Sequence, residues 1–206
     1  MNNITLELVQ NMDIEQCRNL CDELMAFQKS KAYISPDSFD LMNFDTRMKR
    51  SCENAFRSHV VVAKDNNVAI GYVFSTIDNV TYEDNATYPA WAPRIENGIG
   101  FYPDWVTFPQ KIGCLNNLYL RDEYRGLGLG VELFNKAMDW LNSFSDTELA
   151  FVFISNGNEA ALDFYLKHGF TFSHDVFGGF IKAAYKRKAN PNSDFFYAKA
   201  PLAPND

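Results

Sequence analysis

From Ile4 to Val9 apolar and polar residues alternate, the pattern of a half-buried strand. Asp13 stands where a helix cap belongs. After it Ile14, Cys17, Leu20, Cys21, Leu24, Met25 and Phe27 recur at helical spacing. Pro36 interrupts, and Ser35 or Asp37 is expected to start a second helical stretch through Phe39, Met42, Met48 and Cys52. The apolar run Val60–Ala63, the turn residues Asp65, Asn66 and Asn67, and the run Val68–Ile77 predict a hairpin.

Periodicity then fails. From Asp78 to Lys111 the chain carries Tyr82, Tyr88, Trp91, Tyr102, Trp105 and Phe108, broken by Pro89, Pro93, Pro103 and Pro109. A stretch this long without a period is functional or disordered, and its aromatic content argues against disorder. Order returns as a strand over Ile112–Leu120, a loop over Arg121–Gly130 and a helix over Val131–Asn142. Leu149–Ile154 reads as a strand buried on both faces. A turn at Ser155–Asn158 leads into a helix over Glu159–His168, which Gly169 closes. Phe170–Phe177 is a further strand, 178–193 is expected to be irregular or partly helical, Phe195–Lys199 to be the last strand, and 201–206 a frayed end.

Composition narrows the possibilities. The 206 residues suit one domain, and 47% hydrophobic and 15% aromatic residues supply an ample core. A net charge of -7 without a basic block excludes nucleic acid as the expected partner and favours cationic ones. No apolar run reaches the length of a membrane span, and no basic-then-apolar leader precedes Ile4. Cys17, Cys21, Cys52 and Cys114 form no Cys-x-x-Cys pair and read as small buried hydrophobes. The three histidines, His59, His168 and His174, have no metal-ligand spacing, so no metal is expected. The expectation is a cytoplasmic protein with reduced thiols.

The chemistry lies in Arg125-Gly126-Leu127-Gly128-Leu129-Gly130, between a strand and a helix. Helix N-termini offer unpaired N–H groups, and glycines let an anion approach them. The dinucleotide pattern Gly-x-Gly-x-x-Gly would require glycine at Val131 or Leu133, and there is no Gly-Lys pair for a triphosphate loop. Both readings fail on spacing.

The stretch Leu118–Gly130, with Arg125-x-x-Gly128-x-Gly130, resembles the acetyl-CoA motif of the GCN5-related N-acetyltransferase (GNAT) superfamily. Asn158-Glu159-Ala160-Ala161-Leu162-Asp163-Phe164-Tyr165-Leu166-Lys167-His168-Gly169-Phe170 resembles that family's next motif. The element order agrees from Ile4 to Lys199; the excursion at 78–111 and the segment 178–193 depart from the family pattern. The resemblance implies an α/β (α+β) fold: a central mixed, mostly antiparallel, splayed sheet of about six to seven strands flanked by about four helices. It implies that Leu118, Tyr119 and Leu120 pair with the pantetheine arm of acetyl-CoA, one N–H also serving an oxyanion. Backbone N–H groups of Arg125, Gly126, Leu127, Gly128, Leu129, Gly130 and Val131 would hold the pyrophosphate. Arg121 is equally readable as a phosphate contact or a surface residue. Asn158 caps its helix and by resemblance also bonds the coenzyme arm. Tyr165 is the general acid for the departing thiolate, or else simply core.

The implied reaction is acetyl transfer to a primary amine by direct attack in a ternary complex. The excursion's aromatics and carboxylates suit a small cationic acceptor. A protein lysine or N-terminus, or a non-catalytic acyl-CoA-sensing module, are the alternatives. A base is needed, and Asp78, Glu83, Asp84, Glu96 and Asp104 lie in or beside the excursion. Asp122 and Glu123 are expected to face solvent. Analogy with the fold suggests a homodimer.

Overall fold

The structure is a computed structural model that describes residues 3–10, 13–93 and 100–188. Seven strands form one open sheet in the order β1-β2-β3-β4-β5-β7-β6. They are β1 Ile4–Leu8, β2 Arg57–Asp65, β3 Val68–Val80, β4 Gln110–Leu120, β5 Leu149–Ser155, β6 Thr171–Val176 and β7 Ile181–Arg187. All neighbours are antiparallel except β4 and β5. The α-helices are α1 Arg18–Lys31, α2 Arg50–Asn54, α3 Tyr82–Ala86, α4 Leu129–Asn142 and α5 Glu159–Lys167.

Alternation along β2 separates the two layers. Val61 and Ala63 join α4 and α5 in one core, whereas Val60 and Val62 pack with Cys17, Leu20, Cys21, Phe44 and Met48 beneath α1. The cysteines therefore fill space as small hydrophobes; all four are free and buried. Burial raises the Cys17 thiol to about 12, and that of Cys114 to about 12, so both stay neutral. Asn66 and Asn67 have φ of 48° and 67°, the left-handed pair that a tight β2–β3 hairpin requires.

The second helical stretch is not one run. A 3₁₀ turn covers Pro36–Leu41, a π-helical turn Phe44–Lys49, and α2 follows. Asn43 restarts the helix: its side chain accepts from the Thr46 N–H, and the Thr46 hydroxyl accepts from the Asn43 N–H, both at 3.0 Å. Asp13 makes no side-chain cap bond; a 3₁₀ turn at Ile14–Cys17 leads into α1 instead.

The excursion is shorter and more ordered than its pattern suggests. β3 continues to Val80, β4 starts at Gln110, and a reciprocal Thr81–Asp84 cap begins α3. Tyr82, Tyr88 and Trp105 stay exposed, but other rings face inward. Trp91 and Phe101 join Phe177 and Phe180, and Tyr102 stands edge-on to Phe151 with centroids 5.0 Å apart.

The segment expected to be irregular holds β7, which pairs with both β5 and β6. Lys182, Lys186 and Arg187 hide its pattern. Ala183 and Ala184 are wholly buried, and their small size lets β7 lie inside the sheet. Phe195–Lys199, expected as the last strand, and the tail 201–206 lie outside the described residues. Gly169 follows α5 with φ of 86°, the left-handed closure expected of it.

Candidate active site

Two irregularities in β4 create the site. The parallel pairing of β4 with β5 covers only Ile112–Leu115 against Leu149–Val152. Beyond it Asn116–Leu120 and Phe153–Ser155 diverge, leaving one edge of β4 unpaired. In the register with β3, Phe74 opposes Asn117 and Ser75 opposes Leu115, so Asn116 is the extra residue of a bulge. The splay expected between these strands is present, and Leu118, Tyr119 and Leu120 lie along it.

The split contains polar atoms that no protein group satisfies. Asn117 Oδ1 and Ser155 Oγ are buried without a hydrogen-bond partner among the described residues. Both line a small cleft with Phe153, Asn116 and Arg47. A buried polar atom without a partner costs about 1–3 kcal/mol. Those on Asn117 and Ser155 differ from the other four such atoms, on His59, Tyr72, Ser75 and Thr147, in lining this cleft.

At the far end of β4 the glycine loop runs into α4. Gly126 and Gly128 have φ of 78° and 84°, conformations that side chains resist. Nothing lies within 4 Å of a Cβ built on Gly126, Gly128 or Gly130. The open space there is outside the protein's own packing. The Arg125 N–H bonds Asp122 O at 3.1 Å and the Val131 N–H bonds Gly128 O at 3.0 Å. The N–H groups of Gly126, Leu127, Gly128, Leu129 and Gly130 have no acceptor among the described residues. The free donors are thus five, bracketed by two that the turn itself uses.

The arginines of this loop brace it. Arg121 is bidentate to Glu23 at 3.0 and 2.7 Å, and the Tyr119 hydroxyl donates to the same carboxylate at 3.3 Å. That fork holds the Glu23 carboxyl below its ordinary range. Arg121, readable as a phosphate contact or a surface residue, is held here by Glu23 and is only partly exposed. Arg125 donates from Nε to Leu120 O at 3.0 Å, pairs with Asp122 at 2.8 Å and lies over the Phe27 ring. Asp122 is largely exposed and Glu123 exposed, as expected.

On the other side of the split, Asn158 caps α5 through a long 3.4 Å bond from the Ala161 N–H. Tyr165 is 7% exposed and packs against Phe134, Phe164 and Phe170. Its hydroxyl makes no hydrogen bond among the described residues, and burial raises its pKa, so it stays protonated.

Beneath the excursion lie two cavities, of about 680 and 540 Å³. Asp78, Asn116, Arg47 and Asn54 line both. Asp78 accepts from the Thr76 hydroxyl at 2.9 Å, and that hydroxyl accepts from Asn116 Nδ2 at 2.9 Å. The bulge residue and the carboxylate are therefore one connected unit. Burial raises the Asp78 carboxyl above its ordinary range, against the bonds from Thr76 and the Phe56 N–H that lower it. Of the other acids considered as a base, Glu83 and Asp104 are exposed, Asp84 is exposed but lines the smaller cavity and is tied to Thr81, and Glu96 lies outside the described residues.

Sequence reasoning missed Asn116, Asn117, Ser155 and Arg47. A signal existed for two of them. Adjacent asparagines interrupt the otherwise apolar run of β4, and a buried strand does not spend polar side chains without cause. Arg47 and Ser155 had none. The histidines line neither cavity: His59 stacks on Trp140, His168 bonds Phe164 O and His174 bonds Gly100 O. No cluster of three or more His, Cys, Asp or Glu able to hold a metal occurs among the described residues, and no helix there is long and apolar enough to cross a membrane.

Comparison with known proteins agrees with the fold. Similar structures include PH1933 from Pyrococcus horikoshii OT3, at 16% identity and a TM-score of 0.57, covering 91% of this chain and 99% of that one. The PaiA N-acetyltransferase of Thermoplasma acidophilum, solved with coenzyme A, is similar at 14% identity and 0.57, covering 89% and 99%. Arabidopsis thaliana Naa50, solved with the bisubstrate analogue CoA-Ac-MVNAL, is similar at 14% and 0.53, covering 89% and 97%. A search of curated proteins finds no match. The model of the acetyltransferase (GNAT) family matches residues 21–170, from α1 through the end of α5, so the chain belongs to the GNAT family and is an acyltransferase of the class that draws on acetyl-CoA.

Proposed function

We propose that the chain transfers the acetyl group of acetyl-CoA to a primary amine by direct attack in a ternary complex. The observation that carries this reading is a single strand with two ends. The open edge of β4 runs from a cavity with a half-buried carboxylate, at Asn116, to a cradle of five free N–H groups after Leu120. Five residues of strand span about 16 Å at ~3.3 Å each.

In this reading Gly126–Gly130 hold the pyrophosphate, with Arg125 and Val131 fixing the shape of the turn. Leu118–Leu120 and the unpaired Asn117 and Ser155 atoms bond the arm, and Asn158 keeps its cap beside it. When bound, the coenzyme supplies an acetyl group activated as a thioester. Asp78 receives a proton from the entering amine, directly or through one water, and Thr76 with Asn116 fixes its orientation. Tyr165 supplies a proton on the opposite side. A phenol has an ordinary pKa of ~10, and burial raises that of Tyr165 further, so it is poorly matched to a thiolate whose acid is near ~8.5 and the transfer depends on positioning within a dry site.

The acceptor expected from the sequence, a small cationic amine, keeps its support in part. An ammonium group is complementary to Asp78, and cavities of this size suit a small molecule. The aromatic cage expected to hold it is weaker, because the excursion's rings mostly pack on rings of β5, β7 and the β6–β7 turn, or under protein cations. Arg187 lies over Trp105 at 4.8 Å and Arg47 over Trp91 at 5.9 Å. Four free thiols agree with the cytoplasmic expectation. The homodimer remains part of this reading and is measured by sedimentation.

Acetyl-CoA at ~100 times Kd should add about 2.7 kcal/mol to stability. A melting temperature unmoved by saturating coenzyme would sink the proposal. Thiol release with a panel of amines then tests transfer.

A further inference from the structure

The two cavities beneath the excursion carry a charge that neither composition nor the proposed base accounts for. Arg47 lines both of them and the adjoining cleft at the β4–β5 split, and Arg50 lines the larger. Three of the seven described arginines, Arg18, Arg121 and Arg125, pair with carboxylates; Arg57 and Arg187 lie over aromatic rings away from the cavities. Neither Arg47 nor Arg50 takes part in any ion pair among the described residues.

Arg47 is also held in place. It lies on the π-helical turn that the Asn43–Thr46 cap starts and that wholly buried Phe44 and Met48 anchor. Its guanidinium lies over Trp91, and its field reaches the buried Cys114 thiol on β4 and Cys21 on α1. The charge therefore acts on the interior of the site. A guanidinium held without a carboxylate, at the wall of a cavity, is built to receive an anion in a two-pronged bond.

We propose that Arg47, with Arg50 at the cavity mouth, forms an anion subsite, and that the acceptor is a small amine carrying a carboxylate or phosphate on its tail. This rests on the acetyl-transfer reading for the identity of the amine end. Asp78 faces the ammonium and the arginines face the tail, so an acceptor of both signs is neutralised at both ends. The sequence-based expectation of a purely cationic acceptor changes accordingly: a second ammonium would meet two uncompensated guanidinium groups.

The test uses four amines of similar length: butylamine, putrescine, 4-aminobutyrate and 3-aminopropylphosphonate. Each is titrated calorimetrically into the full chain saturated with coenzyme A. Charge-assisted bonds are worth about 1.5–3 kcal/mol, or roughly 10- to 100-fold in affinity. At least one anionic-tailed amine is expected to bind tighter than butylamine and putrescine by at least about tenfold. The carboxylate and phosphonate arms say which anion is meant. Arg47→Gln should abolish the preference, Arg47→Lys should keep part of it, and Arg50→Gln, at an exposed position, should reduce it without disturbing the fold. Equal or undetectable binding of all four, preference for putrescine, or a preference that survives both glutamine variants overturns the subsite. If the preference holds but none of the four is acetylated, the transfer reading fails and the subsite stands.

Discussion

The two ends of β4 are built in opposite ways. The glycine loop is local: ten consecutive residues, Arg121–Gly130, supply both the free N–H donors and the arginines that brace them. The proposed acceptor side is assembled from distant pieces. Asp78 comes from β3, Asn116 from a bulge in β4, Arg47 from a π-helical turn and Trp91 from the excursion. A backbone cradle needs only glycines and a helix start, so it can be written in a short motif. A side-chain site needs charges converging on one cavity, which only long-range packing provides. In the proposed reading, the first kind of site reports the donor and the second the acceptor.

This contrast predicts where substitutions separate function from stability. The largest effect belongs to the acceptor side. Asp78→Asn should lower kcat by ~100- to 10,000-fold, the range for loss of a positioned base. It should also hold or raise the melting temperature at neutral pH. Burial raises the folded pKa of Asp78, so the stability it allows is full below its unfolded pKa and declines as pH rises through the folded value. An ionised Asp78 therefore costs stability. The kcat/KM of the wild type should rise with pH through that raised pKa, and the variant should lose this limb. Asp84 pushes the pKa up, and Arg47 and Cys114 share the second cavity with it. A variant that keeps wild-type turnover removes Asp78 from the mechanism.

Tyr165→Phe comes next, with turnover reduced by about 100-fold and coenzyme affinity little changed. Unaltered turnover would leave the ring as core packing alone, among Phe134, Phe164 and Phe170. Gly130→Ala tests the cradle. Nothing in the protein lies within 4 Å of the added methyl, and alanine favours a helix by about 1 kcal/mol over glycine. The melting temperature of the free protein should not fall, while affinity for acetyl-CoA drops by about tenfold, because the methyl keeps the pyrophosphate from closing on the N–H groups by about the worth of one charge-assisted bond. If affinity is retained, the pyrophosphate does not approach that residue.

The smallest effect is Ser155→Ala. It removes a buried hydroxyl without a partner, and should stabilise the free protein by no more than about 1 kcal/mol while shrinking the shift produced by coenzyme. A destabilised free protein would mean the hydroxyl is satisfied within the fold.

Most strands could be read from alternation, and where reading failed the cause is physical. β7 was hidden because its two wholly buried residues are adjacent alanines, one on each face, set among Lys182, Lys186 and Arg187, a pattern with little contrast. The helical stretch before β2 was read as continuous because hydrophobic spacing records which face is buried. It does not record a restart imposed by one Asn–Thr cap. In the excursion the aromatic residues were visible but their direction was not. Trp91, Phe101 and Tyr102 turned inward, onto rings from β5 and the β6–β7 turn. Of the five candidate bases, the sequence ranked none; burial and the Thr76–Asn116 chain distinguish Asp78.

By itself the sequence determined the glycine cradle, its helix, the Asn158–Gly169 segment and the family they resemble. Each depends on backbone conformation and neighbours a few residues away. Only the tertiary structure decided that Arg121 and Arg125 are braces, that β4 carries a bulge at Asn116, and that Asp78 and Arg47 share a cavity. Those facts depend on which charges meet in space, and residues as far apart as Glu23 and Arg121 meet only after the sheet has formed.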